Sequence, residues 1–242
     1  MKRRFAIGDI HGGLKALKAL IKMLKVGEDD QLIFLGDYVD GWSESAEVIS
    51  YLIELQHHYS CIFIRGNNDD LVANWLKTGQ SNAKWLEHGG ESTQLSYKSK
   101  SQTLKKLHIN FLDDLVNYHI DEQNRLYLHA GFANLHGPKM EFYNNTVYWD
   151  RTLWEMVMAM DPNLEPEHPR YPKRLQLFNE IYIGHTPTTR INQDVPVNFA
   201  NVWNIDTGAA FKGSLTAIDV DSKEIFQTPP VYTFYPSEKG RN

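Results

Sequence analysis

The sequence predicts an α/β protein built from two packed sheets with helices outside them. Two observations carry that reading. Short, continuously apolar runs end abruptly at glycine plus a polar residue, as strands buried on both faces do. The early runs are separated by apolar residues at helical spacing, and strands return only after a long helical middle.

Residues 5–7 form the first run. Leu14, Leu17, Ile21 and Leu24 follow at helical spacing with Lys15, Lys18, Lys22 and Lys25 interleaved, an amphipathic helix. Residues 32–35 are the second strand. Val48, Ile49, Leu52 and Leu55 mark the second helix, and residues 62–64 the third strand. Strand–helix–strand–helix–strand implies parallel strands joined by right-handed crossovers. From about Asp69 to Asn117 the pattern is helical, carried by Leu71, Val72, Trp75 and Leu76 and then Leu104, Leu107, Phe111 and Leu112, with Gly89-Gly90 interrupting. Strands return at 126–128, 181–183, 202–205 and 215–220. Residues 137–175, rich in Pro, Asn and aromatics, read as a long excursion over the surface. With no repeat and no Pro/Gly/Ser linker, residues 1–242 are expected to form one domain with a helical insert around 70–117.

Composition narrows the function. The 25 Lys and Arg against 30 Asp and Glu give a formal net charge of −5. A protein that grips duplex nucleic acid by its phosphates needs a basic face, so the balance argues against that class and no duplex binding is expected. Substrates bearing phosphate are not, because metal ions can supply the positive charge. The single cysteine, Cys61, rules out a disulfide framework and Cys-based zinc or iron–sulfur sites, and is expected to be an inert core thiol. No apolar stretch approaches the roughly 18 residues of a membrane span. The basic Met1-Lys2-Arg3-Arg4 precedes a run too short for a signal peptide, so no membrane association and a cytoplasmic location are expected.

Three strand ends carry polar clusters: Gly8-Asp9-Ile10-His11-Gly12, Gly36-Asp37-Tyr38-Val39-Asp40-Gly41 and Arg65-Gly66-Asn67-Asn68-Asp69. Ligands gather at the carboxyl ends of parallel strands. Asp9, Asp37 and Asn67 are spaced at about 30 residues, one crossover unit each, so Asp9, His11, Asp37 and Asn67 should converge. His129 and His185 follow later strands in the same way. Carboxylate, imidazole and amide oxygen without thiolate is a ligand set for Mn²⁺, Fe or Zn²⁺. Six such groups exceed the needs of one ion, whereas two divalent metals about 3.5–4 Å apart and bridged by a carboxylate would use them all.

These blocks resemble the calcineurin-like metallophosphoesterases, closest to the phosphoprotein phosphatase branch with its bacterial and phage serine/threonine phosphatases and symmetrical dinucleoside tetraphosphatases. GDxHG is intact at Gly8–Gly12, GDxxDRG appears as Gly36-Asp37-Tyr38-Val39-Asp40-Gly41-Trp42, and GNHD as Gly66-Asn67-Asn68-Asp69. His129-Ala130-Gly131 and Gly184-His185-Thr186-Pro187 match the histidine blocks. Lesser matches are Gly89-Gly90 to Ser96-Tyr97, Trp149-Asp150-Arg151 and Asn204-Ile205-Asp206-Thr207-Gly208. The resemblance implies a four-layer αββα sandwich. It implies one metal on Asp9, His11 and bridging Asp37, and a second on Asp37, Asn67, His129 and His185, with manganese the first choice. It also implies in-line attack on phosphorus by a hydroxide between the metals, with Arg151 clamping phosphate beside Asn67. Two positions depart from the pattern. Asn68 stands where the family has a histidine that pairs with Asp40 to protonate the leaving oxygen, and an amide cannot act as that acid. Gly41 stands where the family has a phosphate-binding arginine. The expected activity is that of a serine/threonine-type protein phosphatase or small-molecule phosphomonoesterase acting on a phosphoprotein, nucleotide or small phosphoester. Dinucleoside polyphosphate hydrolysis, phosphodi- or triester hydrolysis and a metal-binding pseudophosphatase are the alternatives.

Overall fold

The computed structural model describes residues 2–241. Its strands in chain order are β1 (Arg4–Ile7), β2 (Gln31–Phe34), β3 (Ser60–Phe63), β4 (Tyr118–Ile120) and β5 (Arg125–Leu128). They continue with β6 (Glu180–Ile183), β7 (Val197–Phe199), β8 (Val202–Asn204), β9 (Ser214–Asp219) and β10 (Ile225–Pro230). The helices are α1 (Leu14–Leu24), α2 (Ser45–Leu55), α3 (Asn67–Thr78), the single turn α4 (Ala83–Trp85), α5 (Glu91–Tyr97), α6 (Gln102–Asp113) and α7 (Thr152–Ala159).

Two five-stranded mixed sheets result, ordered β10-β9-β1-β2-β3 and β4-β5-β6-β8-β7. In the first, β1, β2 and β3 run parallel, and β9 is antiparallel to β1. In the second, β5, β6 and β8 run parallel, with β4 and β7 antiparallel at the edges. Because side chains alternate along a strand, each central strand feeds two cores. Phe5 and Ile7 of β1, and Leu32 and Phe34 of β2, pack under α1 and α2 together with Leu17, Leu20, Val48 and Leu52. Ala6, Ile33 and Ile218 point the other way, against Tyr127, Tyr182 and Ile205 on or beside the second sheet. Tyr127 and Tyr182 stack at 5.0 Å in that middle layer. Leu126, Leu128, Ile181 and Ile183 face outward onto Leu153, Trp154 and Val157 of α7. The architecture is an αββα sandwich, and its doubly buried strands explain the uninterrupted apolar runs.

Several elements differ from the sequence reading. β3 is an edge strand and only half-buried, so its run is not doubly covered. Cys61 on it is accordingly half-buried and lines a cavity of about 560 Å³ beside α6, rather than lying in a closed core. Burial nevertheless pushes its thiol up to about 12. Residues 137–175 do more than cross the surface, because they supply α7 and the buried Val147, Tyr148 and Leu175 that cover the second sheet. β4, β7 and β10 were not anticipated. The first two are three residues long, and β10 ends in Pro229-Pro230, which an edge strand tolerates. The Gly89-Gly90 interruption is a π-type turn, Leu86–Gly90, with Gly89 at φ 105°. No described helix is long and apolar enough to cross a membrane.

Candidate dinuclear metal centre

β1, β2, β5 and β6 deliver Asp9 and His11, Asp37, His129 and His185 from their carboxyl ends, and α3 opens with Asn67 just after β3. All six residues converge. Two groups of donor atoms form, Asp9–His11–Asp37 and Asp37–His129–His185, and Asp37 belongs to both. Its two oxygens divide between them: Oδ2 lies 3.7 Å from His11 Nε2, and Oδ1 lies 3.5 Å from His129 Nε2. Asp9 Oδ2 is 3.7 Å from His11 Nε2. His129 Nε2 stands 3.1 Å from Asn67 Oδ1 and 3.2 Å from His185 Nδ1.

Backbone carbonyls set which ring nitrogen of each histidine faces inward. His11 Nδ1–H donates to Asp40 O at 2.8 Å and Val39 O at 3.1 Å, and His129 Nδ1–H donates to Leu35 O at 2.8 Å. A carbonyl can only accept, so each Nε2 turns its lone pair toward the carboxylates. Asn67 Nδ2 donates to Asn68 Oδ1 at 3.0 Å, which aims Asn67 Oδ1 at the cluster. Asn68 N donates to Asp37 Oδ1 at 2.9 Å. The buried His185 Nε2 and Asn68 Nδ2 find no hydrogen-bond partner among the described residues.

The backbone around these residues is bent to fit. His11, Asp37, Asp40 and His185 all have φ between 52° and 69°, a region costly for residues with a side chain and concentrated at functional sites. Gly66 is required because a Cβ there would collide with the Asp37 backbone and carboxylate, and Gly184 because a Cβ would meet Asp9. Asp69 completes the scaffold. Its carboxylate accepts from Asp37 N and Gly66 N at 2.8 Å each and from Tyr38 N at 2.9 Å, tying the turn after β2 to the start of α3.

Electrostatics couple the members of the cluster. Burial alone would raise Asp37, but His129 foremost, with His11 and His185, holds it well below the carboxylate range. Burial, and then the Asp37 charge, pushes Asp9 up to about 7. Burial lowers His129, yet Asp37 and Asp9 outweigh it and raise the imidazole to about 10. His185 falls well below its usual value through burial and then His129. Buried carboxylates and imidazoles thus perturb one another strongly, as donors gathered around one point do. Donor atoms about 2.1 Å from a first-row divalent ion stand roughly 3.0–3.4 Å apart, close to the spacings here, so the residues present fit a pair of such ions.

Asp40 and Asn68 are both buried but not bonded to each other. Asp40 accepts from Thr93 Oγ1 at 2.6 Å and Trp85 Nε1 at 2.7 Å, and burial pushes it up to about 7. Beside the cluster a cavity of about 280 Å³ is lined by Asn67, Asn68, Trp85, Trp149, Arg151 and Arg241, among others. Arg151 and Arg241 form no ion pair among the described residues. Trp149 is 41% exposed, with its ring 6.3 Å from His185. Sequence reasoning missed Asp69 and Trp85 as scaffold residues and Arg241 altogether. Asp69 was legible as the residue three after a strand-ending glycine, a capping position; Arg241 had no local signal.

The family model described as calcineurin-like phosphoesterase matches residues 3–207. The chain is 27% identical over 233 residues to the asymmetrical bis(5'-nucleosyl)-tetraphosphatase PrpE of Oceanobacillus iheyensis, covering 90% of this chain and 88% of that one. It is also 27% identical to the Anoxybacillus flavithermus protein of the same name, covering 97% of both. Among solved structures, a candidate diadenosine tetraphosphatase superposes with a TM-score of 0.63 at 18% identity, covering 95% of this chain and 94% of that one. A serine/threonine phosphatase from Saccharomyces cerevisiae superposes with a TM-score of 0.56 at 14% identity, covering 94% and 79%. Those structural likenesses speak to the fold. The chain belongs to the calcineurin-like phosphoesterase family, and is a metal-dependent phosphoester hydrolase.

Proposed function

We propose that the bonds it cleaves are phosphoanhydrides, with dinucleoside polyphosphates as the substrate class, at a centre where Asp9, His11 and Asp37 hold one divalent metal and Asp37, Asn67, His129 and His185 a second. The donor set, mixed carboxylate, amide and imidazole without thiolate, admits Mn²⁺, Fe or Zn²⁺, and Mn²⁺ is our first choice. Such a pair, when bound, supplies Lewis acidity toward phosphoryl oxygens and lowers the pKa of water towards about 7.

The observation that carries the reading is the proton supply on the leaving-group side. Asn68 offers an amide, which hydrogen-bonds but does not protonate. Asp40 is fully buried, with its oxygens engaged by Thr93 and Trp85. His88 lines the cavity, but it is exposed and no hydrogen bond among the described residues orients it. A serine alkoxide leaves poorly without a proton, whereas a nucleotide phosphate leaves as a stable anion. Chemistry that needs no general acid therefore suits this site, since such an acid typically contributes about 10²–10⁴-fold.

Three further features support the reading. The exposed face of Trp149 can stack on a nucleobase, a contact worth about 1–3 kcal/mol in other proteins. Arg151 and Lys84 line the same cavity and offer charge to a polyanionic chain. The relatives named as asymmetrical tetraphosphatases align over nearly the whole chain.

A side-by-side assay with Mn²⁺ tests it, using diadenosine tetraphosphate, a phosphoserine peptide and p-nitrophenyl phosphate. The dinucleotide should exceed the phosphoserine peptide by at least about 10²-fold in kcat/KM, with p-nitrophenyl phosphate between them, as leaving-group order requires. A phosphoserine peptide turned over as fast as the dinucleotide would return the reading to a protein phosphatase. Binding of metal and phosphate without turnover of any of the three would favour a pseudophosphatase.

A further inference from the structure

We infer that Arg241, carried to the site by the segment 231–241, is a phosphate-binding residue that occupies the place where the loop after β2 offers only Gly41. The inference rests on reading the Asp9-to-His185 cluster as the active site.

Three observations carry it. Arg241 lines the cavity beside the cluster together with Asn67, Asn68 and Arg151, so two guanidinium groups free of ion pairs among the described residues face one space. Two guanidinium groups lining one cavity concentrate positive charge there, and a fork of N–H donors matches phosphoryl oxygens. The Arg241 stem also runs alongside position 41, in contact with the place a side chain there would start. Its Cγ lies 3.5 Å from where a Cβ on Gly41 would stand and 3.3 Å from the same point on Gly89. Gly41 itself sits at φ 129°, so that position could carry an arginine only with strain.

The third observation is that the segment is clamped to the very loop that lacks the charge. Tyr235 stacks on Trp42 at 5.3 Å, its hydroxyl bonds to Glu44, and Lys15 N donates to the same oxygen at 3.0 Å. Ser43 donates to Glu238 from its backbone N at 3.0 Å and its Oγ at 2.8 Å. Gly240 then passes so close that a Cβ would lie 2.6 Å from Ala210 O and 2.8 Å from the Trp42 ring. Arg241 N donates to Ala210 O at 2.9 Å, and its guanidinium carbon stands 5.8 Å over Phe211. Trp42, Ser43 and Glu44 directly follow Gly41, so loop and strap form one unit. The Arg241 charge is also among those acting on Asp9, His11, Asp40, Arg151 and His185.

The test uses the full chain loaded with Mn²⁺ and reads KM for whichever phosphoester it turns over, Ki for inorganic phosphate, and metal content. Arg241→Gln should raise both constants by about 10-fold or more, the scale of a lost charged hydrogen bond, with metal content unchanged. Arg241→Lys should recover part of the loss. Gly240→Ala keeps the arginine but displaces the strap, and should weaken phosphate binding in the same direction. Unchanged KM and Ki in Arg241→Gln, in a protein that Asp37→Asn inactivates, would overturn the assignment. Full turnover in Asp37→Asn would overturn it differently, by removing the site on which it depends.

Discussion

In the proposed function, Asn68 and Arg151 are the residues that separate one phosphoester hydrolase from another. If the leaving group needs no proton, Asn68→His should raise phosphoserine turnover by about 10-fold or more while changing diadenosine tetraphosphate turnover by less than about 3-fold. Equal gains on both substrates would point to better metal or phosphate binding instead. Asp40 is engaged by Trp85 and Thr93, so the new imidazole must compete for its carboxylate, and the gain should grow when Trp85→Phe frees one oxygen. His88→Gln should leave the dinucleotide rate unaltered; a large loss would identify His88 as an acid that the proposal denies. Arg151→Ala should lower kcat/KM on the dinucleotide by about 10²-fold without loss of metal, the size of a charged contact to substrate. Wild-type kinetics would make it a surface residue. The six proposed donors were legible in the sequence because each lies within a few residues after an apolar run or opens the next helix. The left-handed backbone at His11, Asp37, Asp40 and His185 was not, since nothing in a side chain's identity announces a strained φ.

At the level of elements, the strand-end turns are held by buried polar residues distant in sequence. α6 docks through His108, whose Nδ1 lies 2.8 Å from Tyr97 Oη on α5 and whose Nε2 lies 3.0 Å from Ser50 Oγ on α2. Burial pushes this imidazole down to about 4, with nearby Glu47 opposing and Lys100 adding to the shift. An unfolded histidine takes a proton near 6.5, so the unfolded chain binds more protons than the folded one between these values. Stability from His108 is therefore complete above about pH 6.5 and is lost as the pH falls towards 4. Thermal unfolding should show a smaller drop in Tm between pH 7 and 4.5 for His108→Gln than for wild type; an identical drop would place the titration elsewhere. Helices α1 and α2 were readable because their apolar residues recur on one face over three turns. β4 and β7 were not, because three residues carry too little periodicity. Residues 137–175 misled for a physical reason: their Pro and Asn content is that of a surface loop, while Tyr148, Leu153, Trp154 and Val157 are the lid of the second core.

Across the whole molecule, the centre exists only because two sheets are packed face to face. The first supplies Asp9, His11 and Asp37, the second His129 and His185, and Tyr127, Tyr182, Ala6 and Ile33 hold the two in register between them. Crossover spacing foretold convergence within the first sheet. It could not foretell how the second sheet meets the first, which depends on packing across the middle layer. Nor could it show that residues 231–241 return to the loop after β2. The shared carboxylate of Asp37 is the point at which both halves meet, so it carries the central claim. Metal titration followed by elemental analysis, on wild type, Asp9→Asn and Asp37→Asn, tests it most directly. Wild type should hold two equivalents of Mn²⁺, Asp9→Asn should weaken one of them, and Asp37→Asn should weaken both. One equivalent in the wild type, or one site at full affinity in Asp37→Asn, would contradict a bridged pair.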